Sequence, residues 1–102
     1  MAERIIRGSV NADGTIEGGS GFDVTRTQTG IYYIDFNPPF NNFPTIVATQ
    51  NHPNWNDFTD EARTTDNVVI VGLAENKAML KTGDSNGDAK DRNFCFIAIG
   101  AE

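Results

Sequence analysis

Along Ile31-Tyr32-Tyr33-Ile34-Asp35-Phe36, the side chains of Tyr32, Ile34 and Phe36 fall on one side of an extended chain. Ile31 and Tyr33 share the other side with Asp35. That two-residue period, and not the longer period of a helix, governs most of the sequence. Residues 4–10 read as a first strand that ends at Asn11-Ala12-Asp13-Gly14, where Asp-Gly supplies the positive φ of a tight hairpin turn. Extended structure resumes over 15–17, loosens at Gly18-Gly19-Ser20-Gly21, and returns over 22–27 with Phe22 and Val24 on one face. Gln28-Thr29-Gly30 is the next turn.

Asn37-Pro38-Pro39 ends the Ile31–Phe36 strand, because neither proline can donate to a ladder. Pro44 opens the β-branched run 45–49, and Asn67–Leu73 is a second such run, readable as buried on both faces. Between them, 50–66 (QNHPNWNDFTDEARTTD) has no apolar period, and so long a connection in a compact domain marks a functional or mobile loop. Residues 74–80 favour helix by composition, but a Glu-Asn turn leading into a strand over 77–82 fits the surrounding pattern better. GDSNGDAKD is a polar turn, and 92–101 form the last strand. About eight strands with short connections predict an all-β fold, an antiparallel β-sandwich or jelly roll, as a single domain over residues 1–102.

In the last strand Phe94, Phe96 and Ala98 share one face, while Cys95, Ile97 and Ile99 share the other. A small sandwich has one core, so a strand apolar on both faces needs a second cover. A subunit interface through Phe94, Phe96, Ile97 and Ile99 is one candidate; an inter-sheet position or a covering loop is the other.

The formal charge of −6 opposes binding to a phosphate backbone, and the eight Lys and Arg residues are dispersed along the chain, so nucleic acid is a poor partner and is not expected. Cys95 is the only cysteine, which rules out an intrachain disulfide and a thiolate metal cage and predicts a buried, inert thiol. The opening MAERIIRGSV lacks the apolar stretch of a signal peptide, and no segment reaches membrane-spanning length. The expectation is synthesis in a cytoplasm without membrane insertion, with incorporation in a virion or later release left open.

The residues carry little catalytic chemistry. His52 is the only histidine, and Ser9, Ser20 and Ser85 stand in no nucleophile-elbow context, so a small hydrolase is a distant reading and no catalytic residue is assigned. Asp84, Asn86 and Asp88 space oxygen ligands like the start of a calcium loop, but Ala89 and Cys95 stand where its glycine and closing glutamate belong. A plain Asn-Gly turn is the simpler reading, and no metal or cofactor is expected. Trp55 and Phe58, in a loop rich in Asn and Asp, combine a flat apolar face for a sugar ring with amides and carboxylates for its hydroxyls. Ligand contact is therefore expected from His52, Asn54, Trp55, Asn56 and Asp57; the alternative is that Trp55 folds back to cap the core.

The strand order Gly19-Ser20-Gly21-Phe22-Asp23-Val24, Thr29 to Phe36, Pro39-Phe40, Pro44 to Ala48 and a closing Phe94 to Gly100 resembles a known set of modules. These are the small β-sandwiches at the C-termini of phage tail-fibre and related bacterial surface proteins, with a weaker similarity to H-type lectins. No lectin sugar-site residue carries over. The resemblance implies a non-enzymatic homotrimer that presents loops to a cell-surface glycan or protein receptor. A purely structural trimerisation or capping domain is the alternative.

Overall fold

The computed structural model describes residues 2–102. Its strands are β1 (Glu3–Val10), β2 (Ile16–Gly19), β3 (Phe22–Gln28), β4 (Ile31–Phe36), β5 (Thr45–Asn51), β6 (Asn67–Leu73), β7 (Lys77–Gly83) and β8 (Asn93–Ala101). They build two antiparallel four-stranded sheets, ordered β2-β1-β8-β5 and β3-β4-β7-β6, which enclose one apolar core as an all-β sandwich. The first hairpin turns as the Asp-Gly signal requires: the Asn11 N–H donates to the Thr15 carbonyl, and Gly14 takes a φ of 93°. Residues 74–80 resolve into a turn and a strand, closed by the Ala74 N–H donating to the Lys77 carbonyl at 2.8 Å.

Alternation decides the core. Tyr32, Ile34 and Phe36 of β4 point inward, opposite Phe94, Phe96 and Ala98 of β8, and all six are buried. Two edge-to-face ring pairs join the sheets, Phe22 with Phe96 and Tyr32 with Phe94, each at 5.0 Å between centroids. Such pairs add about 0.5–1.5 kcal/mol beyond the area they bury. Gly8 faces the same layer from β1, and a Cβ there would run into the rings of Phe96 and Phe22. Gly8→Ala should therefore overpack the core and cost about 1–3 kcal/mol. A lower urea midpoint with an unchanged m-value is the expected reading; an unchanged midpoint means the rings move aside without loss.

Three expectations need correction. Phe94 and Phe96 are 0% and 2% exposed inside the chain's own core, so they cannot form a subunit interface. Cys95, Ile97 and Ile99 point the other way, and Cys95 is consequently half-buried on the outer surface instead of lying in the core. Strand β6 is likewise not covered on both faces. It is a sheet edge paired only with β7, and Val69, Ile70 and Val71 remain exposed around a register shift between Ile70 and Gly72. Only Val68 and Leu73 of that run pack against the core. A β-branched run satisfies the backbone of an edge strand as well as that of a central one.

β8 is central in its sheet, between β1 and β5. Its outer side chains lie in cross-strand rows, Ile5-Ile99-Thr45, Arg7-Ile97-Val47 and Ser9-Cys95-Thr49. Ile5 is 68% exposed, Val47 70%, Ile97 49% and Ile99 40%, so neither a loop nor the second sheet covers this face.

Candidate binding site

One end of the sandwich gathers the β1–β2 turn, the end of β5, the start of β8 and the long 52–66 connection. Side-chain amides pin both ends of that connection. At its start, Asn93, only 6% exposed, accepts the Ala12 N–H at 2.8 Å. The Asn93 amide donates to the side-chain oxygens of Asn51 (3.2 Å) and Asn54 (3.1 Å). A buried amide with these partners has little freedom, because each lost bond would leave a desolvated polar atom. At its end, the Gln50 amide donates to the carbonyls of Asn67 (2.7 Å) and Gly83 (2.8 Å). Arg92 donates to Gln50 Oε1 at 3.2 Å and pairs with Asp66 at 3.5 Å, with both charged groups largely shielded from solvent.

Between these anchors the loop rises against the β1–β2 hairpin. The Trp55 indole N–H donates to Asn11 Oδ1 at 2.8 Å, and the Asn11 amide donates to Thr15 Oγ1 at 3.0 Å. Tyr32, fully buried, supports the hairpin from below by donating its hydroxyl to the Ala12 carbonyl at 2.7 Å. Burial pushes the Tyr32 phenol up, so it remains a donor well beyond neutrality.

An open groove of about 750 Å³ lies between loop and hairpin. Its apolar surfaces are Trp55, half-buried, and Phe58, which is 93% exposed. Asn11, Asn54, Asn56 and Thr59 supply donors and acceptors, and Glu17 and Asp57 supply carboxylates. Asp57 also orders the loop tip, its Oδ1 accepting the Thr59 N–H at 3.1 Å. A flat ring bounded by amides and carboxylates suits a polyhydroxylated ligand, which needs a face to stack on and partners for its edges.

Of the five residues expected to meet ligand, Asn54, Trp55, Asn56 and Asp57 come together here. His52 does not: it lines a separate hollow with Asp60, Glu61, Ala62 and Arg63, and no serine stands among them. Asn11 and Glu17 were not legible as site residues, because only the fold of the hairpin brings them to the loop. Trp55 takes a position between the two alternatives, neither in the core nor free, but held at the groove wall by its N–H. The Asp84 carboxylate closes its own turn by accepting the N–H groups of Asn86 and Asp88, both at 3.0 Å. Among the described residues no group of three or more His, Cys, Asp or Glu is placed to hold a metal ion.

Below the hairpin, Asp91 ties the β3–β4 turn to the start of β8. Its Oδ1 accepts the Gly30 N–H at 2.8 Å, and Arg26 Nε donates to Oδ2 at 2.9 Å. Burial raises the Asp91 carboxyl, but the Arg26 guanidinium and the Gly30 N–H together outweigh it and hold the group below the ordinary aspartate value. A carboxylate with a depressed folded-state pKa contributes stability above its unfolded value and loses it as pH falls through the folded one. That contribution should fade from about pH 4 downward. Asp91→Asn should flatten this part of the acid limb of a urea-midpoint profile while Asp84, also held low, keeps its own share. Parallel profiles for the two proteins would show that Asp91 does not carry it.

Compared with known protein families, curated proteins and solved structures, the chain matches none.

Proposed function

We propose that this protein is a non-enzymatic binding and assembly module, a homotrimer that presents the Trp55–Phe58 groove to a glycan or protein receptor on a cell surface. The observation that carries the reading is Phe58, almost wholly exposed beside Trp55 in a groove otherwise lined by amides, a hydroxyl and carboxylates. A large aromatic left in solvent on a loop pinned at both ends is better explained by ligand contact than by folding. The residues that line the hollow with His52 include no serine, which supports a binding role over hydrolysis.

Assembly is supported by the outer face of the β2-β1-β8-β5 sheet. Ile5, Val47, Ile97 and Ile99 form neighbouring exposed aliphatic positions there, the kind of apolar patch that marks an interaction surface. Polar groups at Arg7, Ser9, Thr45 and Thr49 border it, as in a subunit interface with an apolar centre. The trimeric count, and a setting of tail-fibre type, rest on the resemblance of the strand motifs. A purely structural trimerisation or capping role is the second reading, since the apolar sheet face would serve it without a ligand.

The experiment is a glycan array with wild-type protein and Phe58→Ala, alongside the oligomeric mass by light scattering. Glycan hits that vanish in Phe58→Ala, with a trimer mass for both, are expected. A trimer with no hit favours the structural role.

A further inference from the structure

We infer that the ligand of the Trp55–Phe58 groove carries a protonated amine, and that its chemical class is an amine-bearing saccharide. This rests on the groove's being the binding site proposed above. The charged residues lining it are Glu17, from β2, and Asp57, from the loop; no lysine or arginine lines it. The two walls therefore each bring a carboxylate to the same space. Neither takes part in an ion pair among the described residues, where Arg26 pairs with Asp91 and Arg92 with Asp66.

The consequences for a ligand follow from the sign. Ionised carboxylates only accept hydrogen bonds, so they offer nothing to an anionic sugar except repulsion, to which the net −6 of the chain adds. A neutral sugar can be met by the amides of Asn11, Asn54 and Asn56 and leaves the carboxylates without a charged partner. An ammonium group uses both features of the groove. It makes charge-assisted hydrogen bonds to Glu17 and Asp57, and it is attracted to the faces of Trp55 and Phe58. The hexose ring that bears the amine then has the same aromatic surface to stack on.

Trp55 is the only tryptophan, so intrinsic fluorescence reports on the groove directly. Wild-type protein is titrated with three probes below the amine pKa: a chitosan oligosaccharide, its N-acetylated counterpart, and an oligogalacturonate. The deacetylated probe should bind about tenfold more tightly than the acetylated one, the margin expected of an added cation contact. The galacturonate should not bind. In a Glu17→Gln, Asp57→Asn protein the preference should vanish with the thermal midpoint nearly unchanged, since both residues are exposed and an amide oxygen can still accept the Thr59 N–H that Asp57 holds.

Equal affinity for the acetylated and deacetylated probes, or binding of the galacturonate, overturns the amine inference and leaves the saccharide groove standing. Chitosan binding that survives both the double substitution and Phe58→Ala is general attraction to an acidic chain, and it also overturns the inference. A silent titration with all three probes, together with an array hit on another sugar lost in Phe58→Ala, removes the amine and keeps the groove. Silence in both experiments removes groove and inference together.

Discussion

Ile97→Asp is expected to dissociate the proposed homotrimer and leave a folded monomer, whereas Phe96→Asp, one position away, is expected to prevent folding. The two positions lie on opposite sides of β8. Phe96 is 2% exposed and makes an edge-to-face contact with Phe22 across the sandwich. A carboxylate there would be unpaired and surrounded by rings, at a cost of several kcal/mol, which is a large part of a small domain's stability. Ile97 is 49% exposed in the isolated chain, between Arg7 and Val47. A carboxylate at that position is solvated in the monomer and desolvated only if a second subunit covers the face. The penalty therefore falls on assembly, again several kcal/mol, or a loss of at least a hundredfold in association. Light scattering and circular dichroism separate the two outcomes.

Cys95 gives an independent readout, because it lies half-buried on this same face, between Ser9 and Thr49. If the proposed assembly covers this face, maleimide should label Cys95 slowly in the wild type and rapidly in Ile97→Asp. Cys95→Ala should keep the assembly, losing no more than about 1–2 kcal/mol of packing. A wild-type chain that sediments as a monomer at high concentration would end the assembly proposal.

The parts of this structure that were legible in the sequence are those that depend on period alone. Tyr32-Ile34-Phe36 and Phe94-Phe96-Ala98 alternate with side chains of the opposite face, and alternation is a property of each strand by itself. Which strands become edges is a property of pairing, and no local pattern encodes it. Asn67–Leu73 therefore read as buried and is an exposed edge. The same limit applies to the site. Asn54 to Asp57 are contiguous, and their joint placement needs only a loop, whereas Glu17 and Asn11 reach the groove through the β1–β2 hairpin. Asn93 was hidden for another reason. A polar residue at the start of an apolar strand looks like a boundary, and only its bonds to Ala12, Asn51 and Asn54 show that it fastens the loop to the hairpin. His52 stands three residues from Trp55 in sequence, yet nearness along a loop is not nearness in space, and it lines a different hollow.

Phe58→Ala should abolish detectable binding of a weak ligand and leave stability within about 0.5 kcal/mol of wild type. Phe58 is 93% exposed, so little folding energy depends on it, and any large effect of its removal must come from a ligand. Trp55 makes a different prediction because it has two tasks. Its ring lines the groove, and its N–H holds Asn11 on the hairpin at 2.8 Å. Trp55→Ala should lose binding by about thirtyfold or more, as expected for a central aromatic anchor, and should also lower stability by about 0.5–1.5 kcal/mol through the lost hydrogen bond. On a domain of this size that is a fall of several degrees in Tm. Trp55→Phe separates the tasks, since it keeps an aromatic face but has no N–H to donate. It should retain much of the binding while showing most of the stability loss. If Trp55→Ala loses binding only in proportion to its unfolding, and Phe58→Ala binds as wild type, Trp55 is a staple between loop and hairpin and the groove is not a ligand site.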